Sequence, residues 1–287
     1  MSTLTSNLKK LLPKPIVYFY RTVFAGNNPP LYNFPELQTK EDLVLNNGRL
    51  YELFLNHDGR KAIKWTHYIE IYEELLDPFR LKTLDKSQNQ TDQIRLLEIG
   101  VFNGGSLEIW KSYFGSNSTI FGIDINPKCA SLNIPGVQIR IGSQVDQQFL
   151  LEVIRELGKP NIIIDDGSHH SDHVSKTLEY LWPYLDEGGI YIIEDTHASY
   201  WKEYGGGLGK RQSIIEFTKD VVDTLHHHYL RKNMPKRTAF LKNSVSSITF
   251  HDSIIVLKKK KSVPPKLLSI GSISSVKNED EERLYFD

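Results

Sequence analysis

Two short runs in this chain concentrate side chains that can move protons or hold cations. IIIDDGSHH brings Asp165, Asp166, His169 and His170, and GIYIIEDTH brings Glu194, Asp195 and His197. Each acidic pair follows directly on an apolar, β-branched run, the texture of a buried strand. Neighbouring parallel strands would deliver all four carboxylates to one rim. Left alone, carboxylates so placed repel one another and raise each other's pKa values. A hard divalent cation relieves that repulsion, and all-oxygen ligation favours magnesium, manganese or calcium over zinc. The bland alternatives are helix capping by Asp165 or Asp166, and ion pairs from Glu194 and Asp195 to Lys202 or Lys210. His170 and His173 read as surface residues, and the rings of His226, His227 and His228 would diverge around a helix.

The elements that must position these groups begin at Arg95. Short apolar runs (RLLEIG, TIFGIDI, VQIRIG, NIIIDD, GIYIIED) alternate with helical stretches through Trp110 and over residues 147–157, 171–185 and 212–230. In the last of these Ile214, Val221, Val222 and Leu225 share a face. Near-continuous apolar strands separated by helices predict a parallel sheet covered on both faces. SSITFHDSIIVLKKKK then reads as two strands around a turn near His251-Asp252.

The first of these strands runs into EIGVFNGGS, residues 98–106. Gly100 and Gly104, with Gly105 behind, let the backbone turn sharply and approach a ligand at the N-terminus of the next helix. The spacing is ExGxxxGxS rather than the GxGxxG of dinucleotide folds. Asp124 ends the second strand, where a carboxylate suits both hydroxyls of a ribose, and Gly142, Ser143 and Gln144 end the third, beside the position of an adenine. The candidate cofactor contacts are therefore Glu98, Gly100, Asn103, Gly104, Ser106, Asp124, Ser143 and Gln144.

Over residues 91–260 this arrangement resembles the class I S-adenosylmethionine (SAM)-dependent methyltransferase core, whose sheet closes in an antiparallel hairpin that dinucleotide folds lack. The resemblance implies a doubly wound α/β fold: a mostly parallel, seven-stranded Rossmann-like sheet with an antiparallel C-terminal hairpin and a small helical N-terminal extension. DDGSHH together with IIEDTHASYW, the following YGGG and the upstream HDGRKAIKWTHYIEIYEEL also resemble the metal-dependent macrolide-sugar O-methyltransferases (macrocin and mycinamicin type) and the related cephalosporin-hydroxylase-like proteins. That resemblance implies Asp166, Glu194 and Asp195 as metal ligands, His169 as general base, and Asp165 facing the methionine end of SAM. It implies SAM and Mg2+ (or Mn2+) as cofactors, and a hydroxyl of a sugar, glycoside or glycosylated natural product as acceptor. The chemistry is coherent, because a chelated hydroxyl is more acidic and an imidazole can then take its proton as the methyl bond forms. Two other readings use the same fold: a catechol-type O-methyltransferase on a small diol, and a non-catalytic SAM-fold protein.

SYWKEYGGGLGK, residues 199–210, suits a mobile flap in which Trp201 and Tyr204 cover a sugar face. Upstream, Tyr68, Tyr72, Leu75, Leu76 and Phe79 repeat at helical spacing, Pro78 is expected to end that helix, and the two tyrosines line either the pocket or the core. The expected division is an N-terminal extension over 1–90 (substrate lid or oligomerisation), a core over 91–262 and a polar tail over 263–287, with KSQNQTDQ at 86–93 as linker. Thirty-five Lys and Arg balance 35 Asp and Glu, so neither nucleic acid nor an acidic membrane is an expected partner. Cys129 is the sole cysteine, which excludes an internal disulfide and fits a cytoplasmic setting. Residues 1–47 are irregular and start basic and aromatic; no stable membrane insertion is expected, and self-association is, from the resemblance and the aromatic arm.

Overall fold

In the computed structural model of the chain, residues 48–84, 93–268 and 270–271 are described. Expectations for residues 1–47, for nearly all of the 86–93 linker and for most of the tail lie outside them. The described strands are β1 (Ile94–Ile99), β2 (Ser118–Asp124), β3 (Val137–Ile141), β4 (Ile162–Asp165), β5 (Ile190–Ile193), β6 (Val245–His251) and β7 (Ile254–Lys259). They form one seven-stranded sheet in the order β3-β2-β1-β4-β5-β7-β6, parallel except where β7 pairs antiparallel with β5 and β6. The strand order reverses between β1 and β4, the crevice where open α/β sheets bind ligands. This is the architecture the sequence predicted, including the C-terminal hairpin.

The alternation of side chains along each strand divides the core in two. Leu96, Ile164, Ile192 and Val256 face α1 (Arg49–Leu55), α2 (Thr66–Leu84) and α3 (Gly105–Phe114). Leu97, Ile163, Ile193 and Leu257 face α4 (Gln147–Leu157), α5 (Ser171–Leu181) and α6 (Ile214–Leu225). Asp146 and Ser213 cap α4 and α6 by accepting from Phe149 N and Glu216 N. No helix among the described residues is long and apolar enough to cross a membrane.

Three helix limits differ from the sequence expectation. α2 does not end at Pro78 but continues to Leu84. Pro78 removes one donor, yet Tyr68, Tyr72, Leu76 and Phe79 bury a continuous stripe on both sides of it, and that burial outweighs the lost bond. α5 stops at Leu181 and tightens into a 3-10 turn over Trp182–Tyr184, where Pro183 offers no N–H. α6 stops at Leu225, and Val222 points outward at 37% exposure, so it does not join the buried face of Ile214 and Val221.

Candidate active site at the carboxyl ends of β1, β4 and β5

The glycine loop leaves β1 at Gly100, whose φ is +95° and where a Cβ would stand 2.1 Å from the Asp166 carbonyl oxygen. Only glycine allows the β1 and β4 loops to close on each other so tightly. The Asp124 carboxylate clamps this loop: Oδ2 accepts from Val101 N at 2.9 Å and Phe102 N at 3.0 Å, and Oδ1 accepts from Asn126 N at 2.8 Å. Gly104 caps α3 in a left-handed conformation, with half-buried Asn103 before it. The Ser106 hydroxyl donates to Glu98 Oε2 at 2.9 Å. Glu98 is fully buried, its Oε1 has no hydrogen-bond partner, and burial pushes its carboxyl up to about 7.

At the end of β3, Ser143 is half-buried at the crevice, whereas Gln144 turns inward. Both Gln144 amide protons are engaged, with Asp165 Oδ1 and Thr177 Oγ1 at 3.1 Å each, and its Oε1 accepts from Ser168 N at 2.8 Å. Asp165 lies on the α4–α6 side of the sheet, 1% exposed, its Oδ2 accepting from the Tyr191 hydroxyl at 3.0 Å. Burial pushes its carboxyl up to about 6. These two residues therefore brace the β4 loop from beneath. Ile125, which sequence reasoning passed over, follows Asp124 and is 73% exposed, an apolar surface at the crevice.

Across the switch point three of the four carboxylates expected at one rim, Asp166, Glu194 and Asp195, stand together, whereas Asp165 is turned into the interior on the other side of the sheet. Among the described residues Asp166, His169 and Asp195 each bring one ligand atom to within 4.8 Å of the others. His169 Nε2 lies 3.9 Å from Asp166 Oδ1 and 3.7 Å from Asp195 Oδ2, while its Nδ1 is buried without a partner. His169 and Asp195 both hold positive φ, 54° and 52°, a strain that the surrounding packing must sustain. Glu194 stands beside this group rather than within it, because its Oε1 accepts from Lys64 Nζ and from the Tyr72 hydroxyl, each at 2.5 Å.

Neither Lys202 nor Lys210 supplies the counter-charge. It comes from Lys64, on the strap before α2, whose Nζ also donates to Asp166 Oδ2 at 2.6 Å and lies 4.0 Å from Glu98 Oε1. Burial opposes its charge, but Asp166, Glu194 and Glu98 outweigh burial and hold the ammonium well above its ordinary pKa. Burial and Asp166 push the Glu194 carboxyl up. For Asp195 burial acts upward, but His169, His197 and the Tyr68 hydroxyl outweigh it and hold the carboxyl below its usual range. Asp195 Oδ1 accepts from Tyr68 at 2.8 Å and from Trp65 Nε1 at 3.2 Å. Tyr68 and Tyr72 are thus at once core residues and site residues. Tyr68 and Tyr72 fall at helical spacing, which was visible in the sequence; the carboxylates that they and Trp65 meet were not.

The 199–210 segment is folded back over this rim. Gly206 N donates to Trp201 O at 2.9 Å and Gly207 N to Ser199 O at 2.7 Å, with the Tyr204 ring 6.4 Å from that of His169. His197, paired with Ser253 Oγ, borders a cavity of about 460 Å3 that is also lined by Tyr200, Ile215, Phe250 and His251.

No protein-family model matches the chain. It is 30% identical over 182 residues to mycinamicin VI 2''-O-methyltransferase of Micromonospora griseorubida, covering 59% of this chain and 45% of that one. It is 31% identical over 201 residues to 8-demethyl-8-alpha-L-rhamnosyl tetracenomycin-C 2'-O-methyltransferase of Streptomyces olivaceus, covering 67% and 50%. The chain spans about half the length of the curated relatives it matches. Among solved structures it is similar to the MycE methyltransferase of the mycinamycin biosynthetic pathway in complex with Mg, SAH and mycinamycin VI. The TM-score is 0.62 at 27% identity, over 74% of this chain and 53% of that one. The sheet is therefore that of a class I methyltransferase, and the curated relatives are sugar O-methyltransferases.

Proposed function

We propose that the protein is a SAM- and divalent-metal-dependent O-methyltransferase acting on a hydroxyl of a sugar or glycoside. The observation that carries this reading is the convergence of Asp166, His169 and Asp195 beside the glycine loop of β1, on a methyltransferase sheet. The donor set fits the metal: two carboxylates from adjacent strand ends suit a hard cation, with Glu194 as a third carboxylate alongside. The crevice fits SAM, with Glu98 Oε1 unpartnered, Asp124 half-buried at its edge and Ile125 exposed to cover a flat ring.

In this reading Glu98, Gly100, Asn103, Gly104, Ser106, Asp124 and Ser143 hold the cofactor, with Asp165 and Gln144 bracing the loop beneath it. Bound SAM supplies the electrophilic methyl group. The metal, when bound, acidifies and orients the acceptor hydroxyl. Asp166, Asp195 and Glu194 would hold it in place, and His169 would take the acceptor proton. Trp201 and Tyr204 exclude water from the rim.

Asp166→Asn is expected to retain SAM binding by calorimetry while metal binding and methyl transfer to glycoside acceptors are lost. Full transfer in excess chelator would remove the metal from this reading. His169→Gln is expected to lower turnover at neutral pH by about 100-fold or more with acceptor KM little changed, the size of a lost general base. Undiminished turnover across pH would refute the base assignment.

A further inference from the structure

The strap residue Lys64 sets a positive charge against the carboxylates that would hold the cation. Its Nζ contacts oxygens of two of the three carboxylates assigned to the metal, 2.6 Å from Asp166 Oδ2 and 2.5 Å from Glu194 Oε1. Its side chain is only 5% exposed, so water does not screen it. An ammonium and a divalent cation sharing Asp166 would repel each other by far more than thermal energy at such separations. Both cannot occupy the cluster as Lys64 now does.

The fold provides a place for the ammonium to go. Strand order runs β1-β4-β5, so Glu98 lies on the β1 side of the cluster and the Asp166, His169 and Asp195 group on the β4–β5 side. Glu98 Oε1 is buried, lacks a hydrogen-bond partner and stands 4.0 Å from Nζ. Movement by about an ångström along a four-carbon stem would bring the two into hydrogen-bond distance without moving the backbone. The backbone is fixed, because Arg60 N donates to Glu108 Oε2 at 2.7 Å and a Cβ on Gly105 would stand 2.3 Å from Arg60 O.

We propose that Lys64 is a displaceable internal cation: it neutralises the acidic cluster in the metal-free protein and withdraws toward Glu98 when the metal enters. This rests on the metal reading of the cluster given above. It gives the buried and half-buried carboxylates a counter-charge, and it makes metal uptake an exchange of cations rather than a simple addition. Withdrawal also carries positive charge to the cofactor side, where Glu98 holds Ser106 of the glycine loop.

The test is calorimetric titration of the SAM-free protein with Mg2+ and Mn2+, alongside urea unfolding in chelator. Lys64→Met, which loses the charge but keeps the length, is expected to bind metal about tenfold tighter than wild type or better, while being less stable in chelator. Lys64→Arg keeps the charge and is expected to bind no tighter than wild type. Glu98→Gln weakens the acceptor to which Lys64 withdraws and is expected to lower metal affinity several-fold. If Lys64→Met does not fold in chelator, Lys64→Gln, which keeps a donor without charge, takes its place with the same expected tightening. Equal or weaker metal binding on loss of the charge overturns the proposal while leaving the metal reading intact. No binding to wild type and charge-loss variants alike overturns the metal reading, and this proposal with it.

Discussion

At the residue scale, the site is held together by groups whose ionisation is set by burial. Asp165 accepts from Gln144 and Tyr191 in the interior, and burial holds its carboxyl up at about 6. Its folded pKa lies above the unfolded value, so its stabilising contribution is fully present below about pH 4 and lost as pH rises through about 6. Asp165→Asn removes that loss, and the Tyr191 hydroxyl can turn to accept from the new amide. The variant is expected to be about 1–3 kcal/mol more stable than wild type at pH 8, with the advantage gone near pH 4. Urea unfolding of both proteins at the two pH values checks this. Tyr72 acts in the opposite sense, because its hydroxyl partly satisfies the buried Glu194. Tyr72→Phe leaves that carboxylate one donor short, and a loss of about 1–3 kcal/mol in metal-free protein is expected.

The strap before α2 and α2 itself carry the site at the element scale. The strap crosses the first turn of α3, where a Cβ on Gly105 would meet Arg60 O at 2.3 Å and Ala62 N at 2.5 Å. Glu108 secures the crossing through Arg60 N and the Arg60 guanidinium. Gly105→Ala is therefore expected to lift the strap, cost about 1–3 kcal/mol in unfolding free energy and raise metal affinity by drawing Lys64 off the acidic cluster. Unchanged calorimetric metal affinity would separate the strap from the site. Within α2, Pro78 is exposed and interrupts a helix that packing alone sustains. Pro78→Ala restores a donor to the ladder; after allowing for the freer unfolded chain, a gain of about 1–2 kcal/mol is expected by denaturant titration.

On the scale of the whole molecule, α1 and α2 belong to the same core as the sheet. Leu50, Tyr68, Tyr72 and Leu76 are fully buried in one cluster with Leu96, Trp110, Ile164 and Ile192. Residues 48–84 therefore fill one face of the fold as well as supplying Lys64, Trp65, Tyr68 and Tyr72 to its rim. A fragment beginning at residue 93 is expected to lack a cooperative urea transition, since it exposes that face and leaves Glu194 with neither donor. A sharp transition in the fragment would mean that the N-terminal helices are an accessory layer.

What the sequence determined by itself is local or periodic. Apolar runs alternating with amphipathic stretches gave the parallel sheet and its closing hairpin, and acidic pairs at two strand ends pointed to convergence at one rim, because neighbouring parallel strands end together. The glycine turn was legible because only glycine tolerates the conformation at Gly100. Helix ends were less so: Pro78 is a local stop signal, and long-range packing overrode it. Only the tertiary structure decided who neutralises the acids. Lys64 and Glu194 are 130 residues apart, as are Trp65 and Asp195, and Tyr72 and Glu194 are 122 apart. Nothing in the spacing of a lysine or a tyrosine records a partner so distant. The tertiary fold likewise turned Asp165 inward, because successive side chains on a strand face opposite sides, and it brought Gln144, in the turn after β3, into contact with it.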